Sequence, residues 1–319
     1  MILKIIIIWF VNILFFSKFT IATDDLDSFK SSPEGATSNI GSSKTSISNK
    51  YMVVTADPRA TESAKKILEL GGTAIDAAIS AQLVLNLVEP QSSGIGGGAF
   101  ILYYDAKSKS IEAWDGRERA PINYSEDIFL RSDGKKKGFI EAVSGGLAVG
   151  VPSLVSMIEK VHSKHGKLPW SSLFDDAINY SEQGFIVGKR LERLISLAPH
   201  LKNQEASKAY FKLNEGGLKA GELKINNEFA FSLKAIRDSG SEALLNGKLA
   251  DNILSTVVNH PLNPGIMVKA DFELVNPLIT DPVCSNYRKW RICGMGPPSS
   301  GGVTVLQILG ILNNFNLSD

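Results

Sequence analysis

The chain has 319 residues, 44% of them hydrophobic and 21% charged, which is the composition of an ordinary globular protein with enough chain to bury a core. Its 34 lysine and arginine residues nearly balance 33 aspartate and glutamate residues, so the formal net charge is +1. Because nucleic-acid binding requires a basic face and no basic stripe runs along this chain, we expect no nucleic-acid partner.

The N-terminus has the pattern of a secretory signal peptide. Lys4 precedes an apolar run from Ile5 to Phe16, and the small residues Thr20 and Ala22 precede the expected cleavage site. This pattern predicts that residues 1–22 are a signal peptide and that the protein is secreted or periplasmic. An uncleaved N-terminal anchor is the alternative, because a threonine fits the outer position of the cleavage motif less well than an alanine.

A linker is predicted to separate this segment from the folded part. Residues 23–50 are rich in Ser, Thr, Asn, Gly and Lys, a composition typical of disorder. A folded domain is then predicted over residues 51–319. It begins with a strand at Met52–Thr55 and a helix that Pro58 opens and the glycine pair 71–72 ends.

A second helix is predicted to end at about Val88. Thr73 and Asp76 form the capping box at its start. Its residues are apolar nearly all round, which predicts a helix buried on more than one side.

A glycine-dense segment, Gly94–Gly98, follows this helix. It does not follow a strand, and its spacing is neither that of a dinucleotide-binding loop nor that of a phosphate-binding loop. We therefore interpret the glycines as allowing a close backbone approach, either to a neighbouring strand or to a small ligand.

The rest of the chain is predicted to alternate between short strands and helices. A hairpin of two strands is predicted at Ala99–Tyr104 and Ser110–Trp114. Helices are predicted over residues 153–165, 170–183, 189–198, 227–239 and 248–259, strands around 283–293, and an apolar helix from Val303.

The four histidines do not form a recognisable metal site. His162 and His165 lie near a predicted helix end, where cationic side chains interact favourably with the helix dipole. The sequence has no H-E-x-x-H motif and no further cysteine or histidine pair to complete a zinc site, so we expect no metal and no cofactor. The sequence also lacks the G-x-S-x-G motif of α/β-hydrolases.

Two cysteines, Cys284 and Cys293, lie opposite each other if Arg288 and Lys289 form the turn of a hairpin. A disulfide across this hairpin fits both the geometry and an oxidising compartment. However, Arg and Lys are poor choices for the positive φ angles that such a turn prefers, so two buried free thiols remain the alternative.

Arg117 is the main candidate binding residue. It follows a predicted strand and is flanked by Asp115 and Glu118. Its planar fork of donors would fit a ligand carboxylate bidentately. From the residues alone, a structural ion pair with either flanking carboxylate is the simpler interpretation.

Four segments of the chain together resemble one known family. They are GGTAIDAA at 71–78, VEPQSSGIGGGAF at 88–100, DGRERAP at 115–121 and PPSSGG at 297–302. Their residues, order and spacing resemble those of the γ-glutamyltranspeptidases, and the resemblance runs from about residue 51 to residue 319.

The resemblance implies a fold of the α+β class, the N-terminal-nucleophile hydrolase fold, with two stacked sheets between helix layers (αββα). It also implies a precursor that cuts itself into a large and a small subunit. The new N-terminal threonine of the small subunit would attack the γ-glutamyl amide of glutathione or a related compound. The γ-glutamyl group would then pass to water or to an acceptor amino acid or peptide.

The resemblance implies that Arg117 holds the α-carboxylate of the γ-glutamyl group, and we adopt this role over the structural ion pair. No Thr-Thr-His or Thr-x-His segment occurs in the chain. We therefore expect no catalytic residue in this chain, which would be a truncated large-subunit portion with an incomplete fold, inactive without a small subunit. The alternatives are a non-catalytic relic or γ-glutamyl-binding fragment, and a sibling activity such as an acylase or a poly-γ-glutamate-processing enzyme.

Overall fold

Two helices joined by a tight turn form the start of the structure, a computed structural model that describes residues 45–317. Helix α1 spans Pro58–Glu69 and helix α2 spans Ala74–Val88. The predicted capping box of α2 is confirmed, since the Thr73 hydroxyl accepts the Asp76 N–H and the Asp76 carboxylate accepts the Thr73 N–H. The prediction that α2 is buried on several sides is confirmed as well, because most of its side chains are buried.

The other elements follow in chain order. In the described part of the chain, the further helices are α3 (Phe139–Val143), α4 (Leu154–His165), α5 (Asp175–Gln183), α6 (Lys189–Ser196), α7 (Glu205–Tyr210), α8 (Asn227–Ser239), α9 (Glu242–Leu245), α10 (Lys248–Val258), α11 (Lys269–Glu273) and α12 (Gly301–Leu312). The strands are β1 (Ala99–Asp105), β2 (Ser110–Gly116), β3 (Phe185–Ile186), β4 (Leu223–Lys224), β5 (Leu278–Thr280), β6 (Val283–Tyr287) and β7 (Trp290–Gly294).

The five helices predicted in the middle of the chain are confirmed to within a few residues. The one predicted over 170–183 begins as a 3₁₀ turn, Trp170–Phe174, before α5 continues it. Short elements such as α3, β3 and β4 escaped prediction, because segments of two to five residues are too short to show a helical or strand periodicity.

The N-terminal predictions have different outcomes. The predicted signal peptide, residues 1–22, and residues 23–44 of the predicted linker lie outside the described residues. Residues 45–50 are exposed and form no helix or strand. The predicted strand at Met52–Thr55 is wrong, because a strand requires the hydrogen bonds of a neighbour and no described segment pairs with it.

Strand β2 is the centre of the main sheet. It pairs antiparallel with β1, from Ala99 opposite Gly116 to Asp105 opposite Ser110, which confirms the predicted hairpin. Its other edge pairs antiparallel with the short strand β5, so the strand order is β1-β2-β5. The C-terminal end of β2 is buried, including Trp114, and therefore anchors the residues that follow it.

The fold is mixed α and β, as the fold-class prediction states. The described strands form one three-stranded sheet and two two-stranded sheets, rather than two complete stacked sheets. The main core gathers buried side chains from α1, α2, α4, α5, α6, α8 and α9 and includes Trp114 of β2. None of the helices within residues 45–317 is both long enough and apolar enough to cross a lipid bilayer.

The hairpin near the C-terminus has the register expected from its sequence. Strands β6 and β7 place Cys284 opposite Cys293, and a disulfide joins the two residues. The turn residue Arg288 takes a positive φ of 52°. Helix α12 packs on this hairpin at Gly302, because a Cβ on Gly294 would lie 2.6 Å from the Cα of Gly302.

A fully buried carboxylate connects the start of α2 to the turn after α4. Asp76 is 0% exposed, and its Oδ2 accepts hydrogen bonds from the backbone N–H groups of Thr73 at 2.8 Å, Lys167 at 3.0 Å and Leu168 at 3.3 Å. A carboxylate buried in this way is stable because several donors replace the water that it has lost.

We predict that Asp76→Ala lowers the free energy of unfolding by about 3 kcal/mol, because it leaves several buried N–H donors without an acceptor. Urea denaturation followed by circular dichroism measures the change. The control is Glu126→Ala, which removes an exposed carboxylate and should cost less than about 0.5 kcal/mol. An equal loss in both variants would contradict a structural role for Asp76.

Candidate functional site

Arg117 is the first residue after β2, where the sheet ends and an irregular segment begins. Its backbone N–H donates to Oδ1 of Asp115 at 2.9 Å. Its Nε lies 3.1 Å from Oε2 of Glu118, and 55% of the side chain is exposed. The ion pair considered from the residues alone is therefore present, yet more than half of the Arg117 side chain remains accessible to a ligand.

Asp115, the acceptor of the Arg117 N–H, has a buried carboxylate. It is 6% exposed, and its Oδ2 lies 3.3 Å from a terminal nitrogen of Arg119. A buried carboxylate needs a cation or several donors to remain charged. Because Arg119 supplies that cation, Asp115 can hold the Arg117 backbone without cancelling the positive charge that Arg117 presents to solvent.

The glycine segment packs directly on these residues. A Cβ on Gly98 would lie 2.5 Å from the carbonyl oxygen of Gly116 and 2.7 Å from the backbone nitrogen of Glu118. Such distances are shorter than any real contact, so only glycine allows this approach. The predicted close backbone approach is confirmed, and the neighbour is the end of β2 rather than a ligand.

The residues before α4 hold the same segment from the other side. The Ser153 hydroxyl donates to the carbonyl of Gly116, and the Val151 N–H donates to the carbonyl of Arg119 at 2.9 Å. The Ser153 N–H in turn donates to the carbonyl of Gly97 at 3.1 Å. Residues 116–119 are therefore clamped between the glycine segment and the start of α4.

The sequence reasoning missed Ser153. Its position at the start of a predicted helix is the only local signal, and that signal indicates a helix cap. Its partner Gly116 lies 37 positions earlier, a separation that no short-range pattern reports.

A narrow cleft opens beside Arg117 and Arg119. It is lined also by Val151, Ser153 and the segment Val275–Pro277, and its volume is about 10 Å³, room for about one water molecule. An amino-acid head group does not fit into this cleft. A ligand carboxylate would therefore meet Arg117 at its exposed face.

The two histidines of α4 contact different partners. His162 contacts the carbonyl of Leu168 at 2.9 Å, whereas His165 lies 2.9 Å from Oε2 of Glu112 and stacks on Tyr103 with ring centroids 4.1 Å apart. Burial would raise the pKa of Glu112, but hydrogen bonds from Lys164 and His165 outweigh it and keep this pKa below its usual value. No group of three His, Cys, Asp or Glu residues in the described range 45–317 is arranged to hold a metal ion.

Comparison with known proteins identifies the family. The γ-glutamyltranspeptidase family model matches residues 60–319. The glutathione hydrolase proenzyme of Bacillus subtilis (strain 168) is 39% identical over 267 residues, which cover 84% of this chain and 45% of that protein. The glutathione hydrolase proenzyme of Escherichia coli (strain K12) is 32% identical over 268 residues, covering 83% and 45%. The chain thus spans about half the length of the curated relatives it matches.

Solved structures are similar over most of the chain. The γ-glutamyltranspeptidase of Helicobacter pylori superposes with a TM-score of 0.81 at 31% identity, covering 86% of this chain and 78% of that one. The Bacillus anthracis transpeptidase CapD gives a TM-score of 0.68 at 29% identity, covering 83% and 82%. A cephalosporin acylase from Bacillus halodurans gives 0.74 at 25% identity, covering 88% and 53%.

We predict that Gly98→Ala destabilises the chain by about 1–3 kcal/mol, because the added methyl group must displace the backbone of residues 116–118. It should also speed amide hydrogen exchange at Arg117, because the hydrogen bond from its N–H to Asp115 depends on the backbone position of residues 116–118. Urea denaturation and exchange measured by NMR or mass spectrometry test both effects.

Gly96→Ala is the matched control, because a Cβ at Gly96 meets nothing within 4 Å. It should leave both the free energy of unfolding and the exchange at Arg117 nearly unchanged. Equal behaviour of the two variants would contradict the proposed role of the Gly98 contact.

Proposed function

Because the chain belongs to the γ-glutamyltranspeptidase family, we propose that it forms part of an enzyme that cleaves γ-glutamyl amides such as that of glutathione. In this proposal Arg117 binds the α-carboxylate of the γ-glutamyl group. The observation that carries this proposal is the exposed guanidinium of Arg117, whose backbone N–H is held at the end of β2 by a hydrogen bond to Asp115.

The arrangement of charges suits a carboxylate ligand. Glu118 contacts Nε, on one edge of the Arg117 guanidinium, and so fixes its orientation. The terminal nitrogens would then bind the two oxygens of the α-carboxylate in the bidentate geometry that arginine favours. Arg119 keeps the nearby Asp115 carboxylate neutralised, which reduces its repulsion of the incoming anion.

The nucleophile in this proposal is the N-terminal threonine of a small subunit, which these residues do not include. Its free α-amino group would act as the base that activates the hydroxyl. The covalent γ-glutamyl intermediate would then react with water or with an acceptor amino acid or peptide. Positioning by Arg117 would contribute by holding the γ-carbonyl at a fixed distance from that hydroxyl.

A small subunit would also complete the αββα fold of an N-terminal-nucleophile hydrolase. Two features of the described residues support this. The outer edge of β1 pairs with no described strand, and Val305, Ile308 and Ile311 of α12 are 49–62% exposed. Unpaired strand edges and contiguous exposed apolar residues are typical of surfaces that another chain covers.

A sibling reaction is the second candidate, because the similar structures include a transpeptidase from Bacillus anthracis and a cephalosporin acylase from Bacillus halodurans. Substrate assays separate the candidates. We expect no release of amine from a chromogenic γ-glutamyl anilide by this chain alone, and release once it is assembled with the small subunit. Turnover of a cephalosporin or of poly-γ-glutamate, with none of the anilide, would favour a sibling reaction.

We predict that Arg117→Ala in the assembled enzyme lowers kcat/KM for γ-glutamyl anilide by about 30- to 1000-fold, which corresponds to the loss of about 2–4 kcal/mol of charge-assisted binding. Steady-state kinetics measures this change. Arg117→Lys should restore part of the activity, because lysine keeps the charge but not the bidentate fork.

Arg237→Ala is the matched control for this substitution. Arg237 also pairs with the carboxylate of the next residue, since its Nε lies 2.8 Å from Asp238. It lies on α8, outside the candidate site, so this variant should keep the full activity. If Arg117→Ala behaves as the control does, Arg117 does not bind the substrate.

We also propose that the protein is exported and that residues 1–22 are removed. We predict that N-terminal sequencing of the mature protein finds a start just after Ala22, and that cell fractionation finds the protein outside the cytoplasm. The Cys284–Cys293 disulfide supports an oxidising compartment. A mature protein that starts at Met1 would exclude cleavage and favour the anchor.

A further inference from the structure

A second cleft, of about 410 Å³, lies between α6 and the loop Leu213–Lys219. It shares no lining residue with the cleft beside Arg117. One face of α6 forms its first wall, because Lys189, Glu192, Arg193 and Ser196 recur at spacings of three and four residues. Its volume lies within the range of small-molecule sites.

Packing keeps this cleft open. Ile195 and Leu218 lie at its base and are 8% and 1% exposed, so both walls are anchored in the core. The loop is attached to α6 by a hydrogen bond from the Ala220 N–H to Oε2 of Glu192 at 3.2 Å. A hydrogen bond from the Leu218 N–H to the Phe211 carbonyl, at 3.0 Å, holds the loop from behind. The shape is therefore largely formed before any ligand arrives.

The cleft concentrates positive charge on a chain that is otherwise nearly neutral. Its lining includes four cationic residues, Lys189, Arg193, Lys202 and Lys219, and one carboxylate, that of Glu192. The whole chain has a formal net charge of only +1. The four cations come from α6, the turn after it and the loop opposite, all within residues 189–219.

Most of this charge has no internal partner. The Glu192 carboxylate lies 3.7 Å from Lys219 and also accepts the Ala220 N–H. No ion pair joins Lys189, Arg193 or Lys202 to a carboxylate anywhere in residues 45–317. Like charges held around one cleft repel each other, and an anion bound among them would relieve that repulsion.

The lining also restricts the kind of anion. No aromatic ring faces the cleft, so a nucleobase would find nothing on which to stack. The base is aliphatic, and the cations stand around it. We propose that this cleft binds a small polyanion, one that carries two or more carboxylate or phosphate groups on a compact skeleton without an aromatic ring.

The experiment titrates the full chain with citrate and with pyrophosphate by isothermal calorimetry, at constant ionic strength. We expect saturable binding of one anion per chain. Arg193→Gln and Lys202→Gln should each weaken it by about 5-fold, the loss of roughly 1 kcal/mol for one partly exposed charge pair. A preference for citrate would identify a polycarboxylate as the ligand, and a preference for pyrophosphate would identify a phosphate compound.

Glu192→Gln changes the affinity in the opposite direction. The amide oxygen still accepts the Ala220 N–H, but the only carboxylate of the lining is lost, so the anion should bind more tightly. Lys136→Gln is the matched control, because it removes one cation from an exposed loop outside the cleft. It should leave the affinity unchanged.

Three outcomes would overturn the proposal. They are the absence of saturable binding for both anions, an equal loss in Lys136→Gln and Arg193→Gln, and an unchanged affinity in Glu192→Gln. Thermal unfolding by circular dichroism confirms that each variant is folded before it is titrated. The result does not depend on Arg117, so it can fail or succeed separately from the proposed γ-glutamyl chemistry.

Discussion

Backbone packing between the glycine segment and the end of β2 is the contact on which the candidate site depends. At Gly98 the backbones of the glycine segment and of the end of β2 are so close that no side chain fits between them. The carbonyl of Gly97 accepts hydrogen bonds from the N–H groups of Ser153 and Leu154 at the start of α4, and the Ser153 hydroxyl donates to the carbonyl of Gly116. Three segments distant in sequence are thereby fixed relative to each other, and Arg117 projects from the middle one.

Two of the buried aspartates, Asp76 and Asp115, are stabilised by different means. Asp76 accepts hydrogen bonds from backbone N–H groups, which hold α2 and the turn after α4 together, and Nε2 of His162 lies 3.5 Å from its Oδ1. Asp115 instead combines one backbone donor with the guanidinium of Arg119. The first arrangement joins two helical segments, whereas in the second Arg117 pairs through its Nε with Glu118 and remains 55% exposed beside the carboxylate that Arg119 neutralises. This difference supports a structural role for Asp76, and it is compatible with the proposed carboxylate-binding role of Arg117.

The surfaces of the chain also differ in what they offer to a partner. The outer edge of β1 and the exposed side of α12 are apolar or unpaired, and in our proposal a small subunit covers them. The cleft along α6 is cationic and has a base formed by the buried residues Ile195 and Leu218. Association with a subunit and binding of a small anion would therefore use separate surfaces and different physical forces, the hydrophobic effect for one and charge for the other.

The sequence by itself determined what depends on near neighbours. The capping box of Thr73 and Asp76, the helices of the middle of the chain and the hairpin register that places Cys284 opposite Cys293 all follow from spacings of a few residues. Four short motifs were enough to identify the family, whereas the choice between a disulfide and two free thiols was decided by the structure. The place of Arg117 directly after a strand was predicted in the same way, whereas its carboxylate-binding role came from the family resemblance and remains a proposal.

Only the tertiary structure decided which distant residues meet. It placed Ser153 on Gly116, surrounded Asp76 with the amides of Lys167 and Leu168, gathered the cations of the α6 cleft and left Met52–Thr55 without a partner strand. The reason is physical: helix periodicity, caps and turns are set by interactions between neighbours, whereas long-range contacts depend on how all the elements pack at once.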